Sequence, residues 1–181
     1  MKITNIRFYD GSRQKVSRLG MSDLFLEVLE IILDMEVYLL EEKEANGAAE
    51  LRKRIDEQFR SAGGWTQKKT GGIDWKKRLK YNQAIVVTLG VEIQVSARSD
   101  LLIRDIVHLR NSLQRGEIDV GIIIVPDDRL QRFLPDRTPS FRDAVRYAEE
   151  EFSEATTYPI IIISIEHDGP GDPLPKQSRR R

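Results

Sequence analysis

The sequence contains no cysteine among its 181 residues, which excludes disulfides, thiolate zinc sites and cysteine nucleophiles. No apolar run approaches the roughly 20 residues that span a bilayer, and the N-terminus lacks the apolar segment of a secretory signal. Glycine-rich phosphate loops are also absent. The two histidines, His108 and His167, make neither a zinc site nor a supported Ser-His-Asp triad, so we interpret each as an ordinary surface or core histidine. These absences predict a cytoplasmic protein without a membrane partner.

Hydrophobic residues make up 40% of the chain and charged residues 32%, a balance typical of a soluble globular domain. The 29 basic and 29 acidic residues cancel in sum but are segregated along the chain. Six basic residues fall between positions 68 and 80, so the molecule could present one basic face despite its zero net charge. We expect one domain over residues 1–168. Residues 169–181 hold three of the seven prolines and end in three arginines, which predicts a disordered basic tail.

Hydrophobic periodicity predicts alternating helices and strands. Helices are expected from Ser22 or Asp23 to Leu39, over 48–60, from Ser99 or Asp100 to Gly116, and over 140–153, the last opened by a capping box. Strands are expected near 3–8 and at 73–75, 84–95, 118–125 and 160–165, with a turn at 81–83. Gly90 predicts a bulge or a close backbone approach. This order favours an α/β fold with helices on both faces of the sheet.

Two polar residues interrupt the apolar run 84–95. Glu92 and Gln94 lie two positions apart, so their side chains share one face of the predicted strand. One interpretation is an edge strand with both groups in water. The other is a functional site, because an unpaired buried polar group costs about 1–3 kcal/mol.

Asp74 favours the functional site. It precedes Glu92 by 18 residues, and a hairpin could bring the two carboxylates together. With the main-chain carbonyl of Ile93 they would form an all-oxygen site for a hard cation such as Mg²⁺. Such an ion can bind a phosphate and activate water.

Six short segments of the sequence, taken in order, carry a family resemblance. They are Ile73-Asp74-Trp75, Val91 to Gln94 with Ser96, Arg104-Asp105, Gly116 to Pro126, Asp128 to Gln131, and the strand from Pro159 to Ile165. Together they resemble the restriction endonucleases of the BglII and BstYI group within the PD-(D/E)xK nuclease superfamily, over a little more than half the chain. The wider superfamily has lysine where this chain has Gln94, and the BglII-like branch also has glutamine there. The link from Asp74 to Glu92 is longer than expected for BglII itself.

The resemblance implies a restriction-endonuclease-like fold: a central mixed β-sheet flanked by helices, with a helical N-terminal part and a catalytic core at about 65–168. It implies a type II restriction endonuclease, a homodimer that hydrolyses double-stranded DNA at a short palindrome, with a GATC core, and leaves 5′-phosphate ends. Asp74, Glu92 and Gln94 would be catalytic, and Asp74, Glu92 and the Ile93 carbonyl would hold Mg²⁺, for which Mn²⁺ would substitute. Gln94 could only orient water, because an amide is no general base near neutral pH.

The same resemblance suggests which residues touch DNA. They are Ser96, Arg98, Lys76 and Lys77 for phosphates, and Asp127, Asp128 and Arg129 in a base-reading loop. For Asp127, Asp128 and Arg129 the alternative interpretation is a charged loop in water. For Lys76 and Lys77 it is solvated lysines on a hairpin. One of Glu36, Glu41 or Glu42 would join the metal site, and the helices at 99–115 and 140–153 are candidates for the dimer interface. A related repair or defence nuclease, or a DNA-binding dimer that no longer cleaves, are the alternative functions.

Overall fold

The computed structural model describes residues 1–18, 20–67 and 72–176. The strands are β1 (Lys2–Phe8), β2 (Tyr38–Leu39), β3 (Thr66–Gln67), β4 (Trp75–Tyr81), β5 (Ala84–Ile93), β6 (Val120–Pro126), β7 (Ile160–Glu166) and β8 (Gly169–Pro170). The helices are α1 (Ser12–Arg18), α2 (Ser22–Leu33), α3 (Ala48–Ala62), α4 (Ser99–Gln114), α5 (Asp128–Phe133) and α6 (Phe141–Arg146). None of the helices in these three ranges is long and apolar enough to cross a membrane.

A six-stranded mixed sheet forms the centre of the molecule, in the order β1-β7-β6-β5-β4-β3. Strands β5, β6 and β7 are parallel to one another, whereas β1 and β4 run antiparallel to their neighbours β7 and β5. The β-branched and apolar sequences of β6 and β7 are buried along their whole length, as expected of strands covered on both faces. The prediction of an α/β fold with a mixed sheet is confirmed.

Each face of the sheet has its own hydrophobic core. Odd-numbered residues of β5, such as Val91 and Ile93, pack with α2 and α3 in one core. The opposite face packs against α4 through Leu102, Ile106 and Leu109 and against α6 through Ala144. Because side chains alternate along a strand, Glu92 and Gln94 point to the α4 side. Helices therefore lie on both faces, as predicted.

A hairpin joins β4 to β5 and sets the register of the sheet. Its turn at Asn82 and Gln83 has positive φ at both residues, which suits the right-handed twist of the flanking strands. Trp75 pairs with Val91, so Asp74 lies directly beside Glu92. The predicted strand at 73–75 is displaced: the strand begins at Trp75, and Asp74 precedes it. Gly90 is a close-approach site, because a Cβ there would meet Ile118 at 3.0 Å.

Two helix predictions need correction, and two helices were missed. The helix predicted to reach Leu39 ends at Leu33, because Met35, Val37 and Leu39 are buried in alternation and the chain extends into β2. The helix predicted over 140–153 begins with the expected Ser140–Asp143 capping box but is α-helical only to Arg146. A π-helical turn (Tyr147–Glu151) and a 3₁₀ segment (Ser153–Thr157) follow. Helices α1 and α5 were not predicted.

The segment 169–176 is folded, contrary to the expected disordered tail. Strand β8 pairs in parallel with β2, and Leu174 is buried. The side chain of Asn46 explains this attachment: its Oδ1 accepts hydrogen bonds from the amides of Leu40 and Leu174, and its Nδ2 donates to the carbonyls of Leu40 and Phe133. The terminal arginines, like Lys68 and Lys69 of the basic run, lie outside the described residues.

Replacement of Asn46 by alanine is expected to lower the free energy of unfolding by about 2–3 kcal/mol, because it leaves several buried backbone groups without partners. Urea denaturation measures the change. Asn5→Ala is the control, since exposed Asn5 bonds only neighbouring side chains and its loss should cost less than about 0.5 kcal/mol. Equal losses in the two variants would contradict the role of Asn46.

Candidate metal centre

The β4–β5 hairpin brings Asp74 and Glu92 together, as the sequence predicted. The amide of Asp74 donates to Glu92 Oε2 at 3.2 Å, and the amide of Ile93 donates to Asp74 Oδ2 at 2.9 Å. Strand β5 lies between β4 and β6, and Glu92 and Gln94 are only 1% and 2% exposed. The interpretation of an edge strand with both groups in water is therefore wrong.

Helix α4 adds two groups that the sequence analysis did not select. Asp105 and His108 lie three residues apart, so both face the sheet one helical turn from each other. Ligand atoms of Glu92, Asp105 and His108 all lie within 4.8 Å of one another. The available signal was Asp105 itself, a charged residue between the apolar positions Leu102, Ile106 and Leu109. The interpretation of His108 as an ordinary surface or core histidine missed this cluster.

The centre brings several carboxylates together where two of them are buried from solvent. Burial, and then the neighbouring charges of Asp74 and Asp105, raise the pKa of Glu92 well above its usual range. Burial, and then Asp74, raise the pKa of Asp105 to about 7. Glu92 Oε1 has no hydrogen-bond partner among the described residues. Oxygen donors crowded in this way fit a divalent cation, which would relieve both the repulsion and the missing hydrogen bond.

The raised pKa of Glu92 has a consequence for stability. In the unfolded chain the Glu92 carboxyl has a pKa of about 4.3, and below that pH it is protonated in both the folded and the unfolded protein. Above that pH the unfolded chain loses this proton first. The free energy of unfolding therefore falls as the pH rises toward the higher pKa of the folded protein. Glu92→Gln removes this loss, so with EDTA present the variant should unfold at a higher temperature than the wild type at pH 8. The difference should shrink toward pH 4. Glu154→Gln, at an 80% exposed side chain, is the control and should show no such trend.

Arg52 of α3 reaches the same point from the opposite face of the sheet. Its guanidinium lies 3.0 Å from Asp74 Oδ2 and donates a hydrogen bond to the carbonyl of Ile93. Asp56 holds the guanidinium from the other side at 2.9 Å and in turn accepts from the indole of Trp75. Arg52 thus binds two of the three groups that were predicted to hold the metal ion.

Glu41, one of the three upstream glutamates considered for the metal site, is engaged elsewhere. Its Oε1 lies 2.9 Å from His167 Nε2 and 2.8 Å from Arg129. His167 is buried and also bonds Glu166, in keeping with the prediction of an ordinary core histidine. From the helical N-terminal part, the basic Arg52 of α3 reaches the centre.

Gln94 holds the segment that leaves the sheet after β5. Its Nε2 donates to Ser96 Oγ and to the carbonyl of Arg98, each at 2.9 Å. Arg98 is exposed and paired with Asp100 at 2.6 Å. The expected contacts of Ser96 and Arg98 with phosphate stay a prediction.

Lys76 and Lys77 face opposite sides of the sheet and do not form one basic face. Lys76 lies 3.4 Å from Glu117, whereas Lys77 lies 2.6 Å from Glu27 on α2. Strand alternation separates them, which a count of charges along the chain does not register.

The predicted reading loop is the N-terminus of α5. Asp127 caps this helix by accepting from the amide of Arg129, and it also accepts from Thr4 on β1 at 2.6 Å. Asp128 pairs with Arg142, and Arg129 with Glu41. All three side chains are therefore held by intramolecular contacts, and Arg129 keeps 55% of its side chain exposed.

A groove of about 750 Å³ runs along α3 beside Arg52. Its basic lining was not predicted from the sequence: Arg52, Lys53 and Arg60 come from α3 and Lys176 from the C-terminal segment, and Asp56 and Ser96 also line the groove. Such a lining suits the phosphates of a nucleic acid backbone.

Comparison with known proteins assigns the chain to a family. A family model described as restriction endonuclease BglII/BglIII matches residues 9–165, which is most of the chain. A search of curated proteins found no match.

Proposed function

The chain belongs to the BglII/BglIII family of restriction endonucleases and is thus a type II site-specific deoxyribonuclease, and from this premise we propose how it cuts. The substrate is double-stranded DNA with a short palindrome, built on a GATC core. The carboxylates of Asp74 and Glu92 and the carbonyl of Ile93 hold Mg²⁺, with Mn²⁺ as a substitute. Cleavage leaves 5′-phosphate ends.

The observation that carries this proposal is the buried pair of Asp74 and Glu92. The two carboxylates meet at the end of a central strand, and Glu92 Oε1 has no hydrogen-bond partner among the described residues. All-oxygen donors of this kind are the ligands that Mg²⁺ prefers. A divalent ion bound there supplies a Lewis acid for the scissile phosphate and lowers the pKa of a bound water.

The remaining steps belong to the chain's own residues. Gln94 cannot accept a proton near neutral pH, so its part is to hold Ser96 and the Arg98 carbonyl, which fixes the segment that faces the phosphate. Arg52, released from Asp74 and Ile93, would turn its guanidinium to the phosphate oxygens, where planar bidentate contacts are favourable. The reading loop at Asp127, Asp128 and Arg129 would contact base edges in the major groove.

The working unit in this proposal is a homodimer of cytoplasmic location. A two-fold axis through the dimer would match the symmetry of the palindrome and place one centre on each strand. Helix α4 and the segment 140–153 remain the candidate interface elements.

Digestion of unmethylated DNA tests the proposal. Purified protein is incubated with phage DNA with and without Mg²⁺, beside the Asp74→Asn variant, and the fragment ends are sequenced. Discrete fragments that require Mg²⁺, share one palindrome and are missing with the variant would support it. A smear without a common end sequence would favour a non-specific repair nuclease. A metal-independent gel shift without cleavage would favour a binding protein.

The basic groove gives a separate prediction. Lys53→Ala should weaken DNA binding in Ca²⁺ by about 3- to 10-fold and reduce the salt slope by about one, since one phosphate contact is lost. Fluorescence anisotropy at several salt concentrations measures both. Lys43→Ala, at an 85% exposed lysine outside this groove, is the matched control. Identical salt slopes for the wild type, Lys53→Ala and Lys43→Ala would show that DNA does not contact this groove at Lys53.

A further inference from the structure

One carboxylate oxygen of Glu92 lies close to helix α4. Glu92 Oε2 accepts from the Asp74 amide, whereas Oε1 lies 3.8 Å from Nδ1 of His108. The Glu92 side chain is only 2% exposed, and Oε1 has no hydrogen-bond partner among the described residues. A buried carboxylate oxygen in this position lacks the group that would satisfy it.

The two α4 residues are held rigidly opposite that oxygen. Leu102, Ile106 and Leu109 pack into the sheet and fix the helix, Asp105 is buried beside them, and the His108 side chain is 30% exposed. The nearest cation to Asp105 is Arg104, 3.3 Å from Oδ1, but its side chain is 56% exposed. Arg104 is therefore well solvated and contributes little neutralisation to Glu92.

We propose that Glu92, Asp105 and His108 form a second cation site, which takes a first-row transition-metal ion in preference to Mg²⁺. The three ligand atoms lie within 4.8 Å of one another, as a single ion would require after a small adjustment. An imidazole nitrogen beside two carboxylates favours ions such as Co²⁺ or Zn²⁺, whereas Mg²⁺ prefers oxygen alone. The site rests on the proposed function only through Glu92, which it shares with the Mg²⁺ site; Asp74 and Ile93 take no part.

The α4 side of the site reaches solvent at His108, whose side chain is 30% exposed. His108 also lines a pocket of about 210 Å³, together with Lys76, Asn111 and Glu117. This pocket lies across the sheet from the α3 groove that contains Arg52. Two-metal nuclease sites hold their ions about 3.5–4 Å apart, so two cation sites that share Glu92 are compatible with nuclease chemistry.

Metal titration without DNA tests the proposal. Isothermal titration calorimetry with Co²⁺ and with Mg²⁺ gives the stoichiometries, and the visible absorption of bound Co²⁺ reports its ligands. The wild type should bind one more Co²⁺ than Mg²⁺ per chain. His108→Gln should lose that extra ion and its absorption, while its Mg²⁺ affinity stays within about twofold of the wild type.

Further variants make the outcome unambiguous. Asp105→Asn should also lose the extra Co²⁺, and circular dichroism would confirm that each variant is folded. Asp100→Asn, on the same helix but exposed, should keep it. Asp74→Asn should lose the Mg²⁺ and keep the extra Co²⁺. Failure of the proposed Mg²⁺ site and failure of the second cation site therefore give different results. Equal Co²⁺ and Mg²⁺ stoichiometries in the wild type, or an extra Co²⁺ that survives His108→Gln, would overturn the proposal.

Discussion

Glu92→Gln is expected to slow DNA cleavage in Mg²⁺ by at least about a thousandfold. The change keeps the shape of the side chain but removes the negative charge that would hold the ion beside Asp74. Metal ions contribute several kcal/mol to charge stabilisation in phosphate hydrolysis, and each 1.36 kcal/mol is a factor of ten in rate. Single-turnover cleavage of a short duplex containing the identified site measures the loss.

Two controls separate this effect from a folding defect. Glu154→Gln removes an exposed carboxylate and should cleave at the wild-type rate. The Glu92→Gln protein should still bind the duplex in Ca²⁺ or EDTA, since in this proposal the basic groove supplies phosphate contacts. A Glu92→Gln protein that cleaves within about tenfold of the wild type would remove Glu92 from the metal site.

Arg52→Met is expected to raise the affinity for Mg²⁺ in the absence of DNA by about tenfold. In the metal-free protein the Arg52 guanidinium binds Asp74 Oδ2 and the Ile93 carbonyl, so an ion must first displace it. In the variant an ion no longer has to displace a charge-assisted contact worth about 1.5–3 kcal/mol, and a tenfold gain in affinity corresponds to about 1.4 kcal/mol. Methionine retains the apolar volume of the side chain without its charge.

The matched control lies on the same helix. Arg54→Met removes a guanidinium that pairs with Glu50 at 3.2 Å, away from the centre, and should leave Mg²⁺ affinity unchanged. Calorimetric titrations of the three proteins give the comparison. If Arg52→Met binds Mg²⁺ as weakly as the wild type, Arg52 does not compete for the ligand atoms.

Sequence reasoning recovered the parts of the site that local pattern determines. The alternation that puts Glu92 and Gln94 on one face, the turn at Asn82 and Gln83, and the hairpin that carries Asp74 to Glu92 all follow from residues near one another in the chain. The family resemblance named the BglII group, and the match over residues 9–165 confirms it.

The parts that were missed depend on tertiary packing. Arg52, Asp105 and His108 come from helices on opposite faces of the sheet, and no spacing in the sequence indicates which helical residue will face Glu92. The end of α2 was misplaced for a related reason: Met35 and Leu39 suit a helical period, but with Val37 they also suit a strand, and pairing of β2 with β8 decides between the two.

Diffraction from crystals of the protein soaked in Mn²⁺, recorded at a wavelength with strong anomalous signal from manganese, tests the central claim most directly. The account predicts a peak about 2.0–2.3 Å from the carboxylates of Asp74 and Glu92 and the carbonyl of Ile93, with the Arg52 guanidinium displaced. A metal-bound structure with Arg52 still on Asp74 and Ile93, and no peak between Asp74 and Glu92, would contradict it.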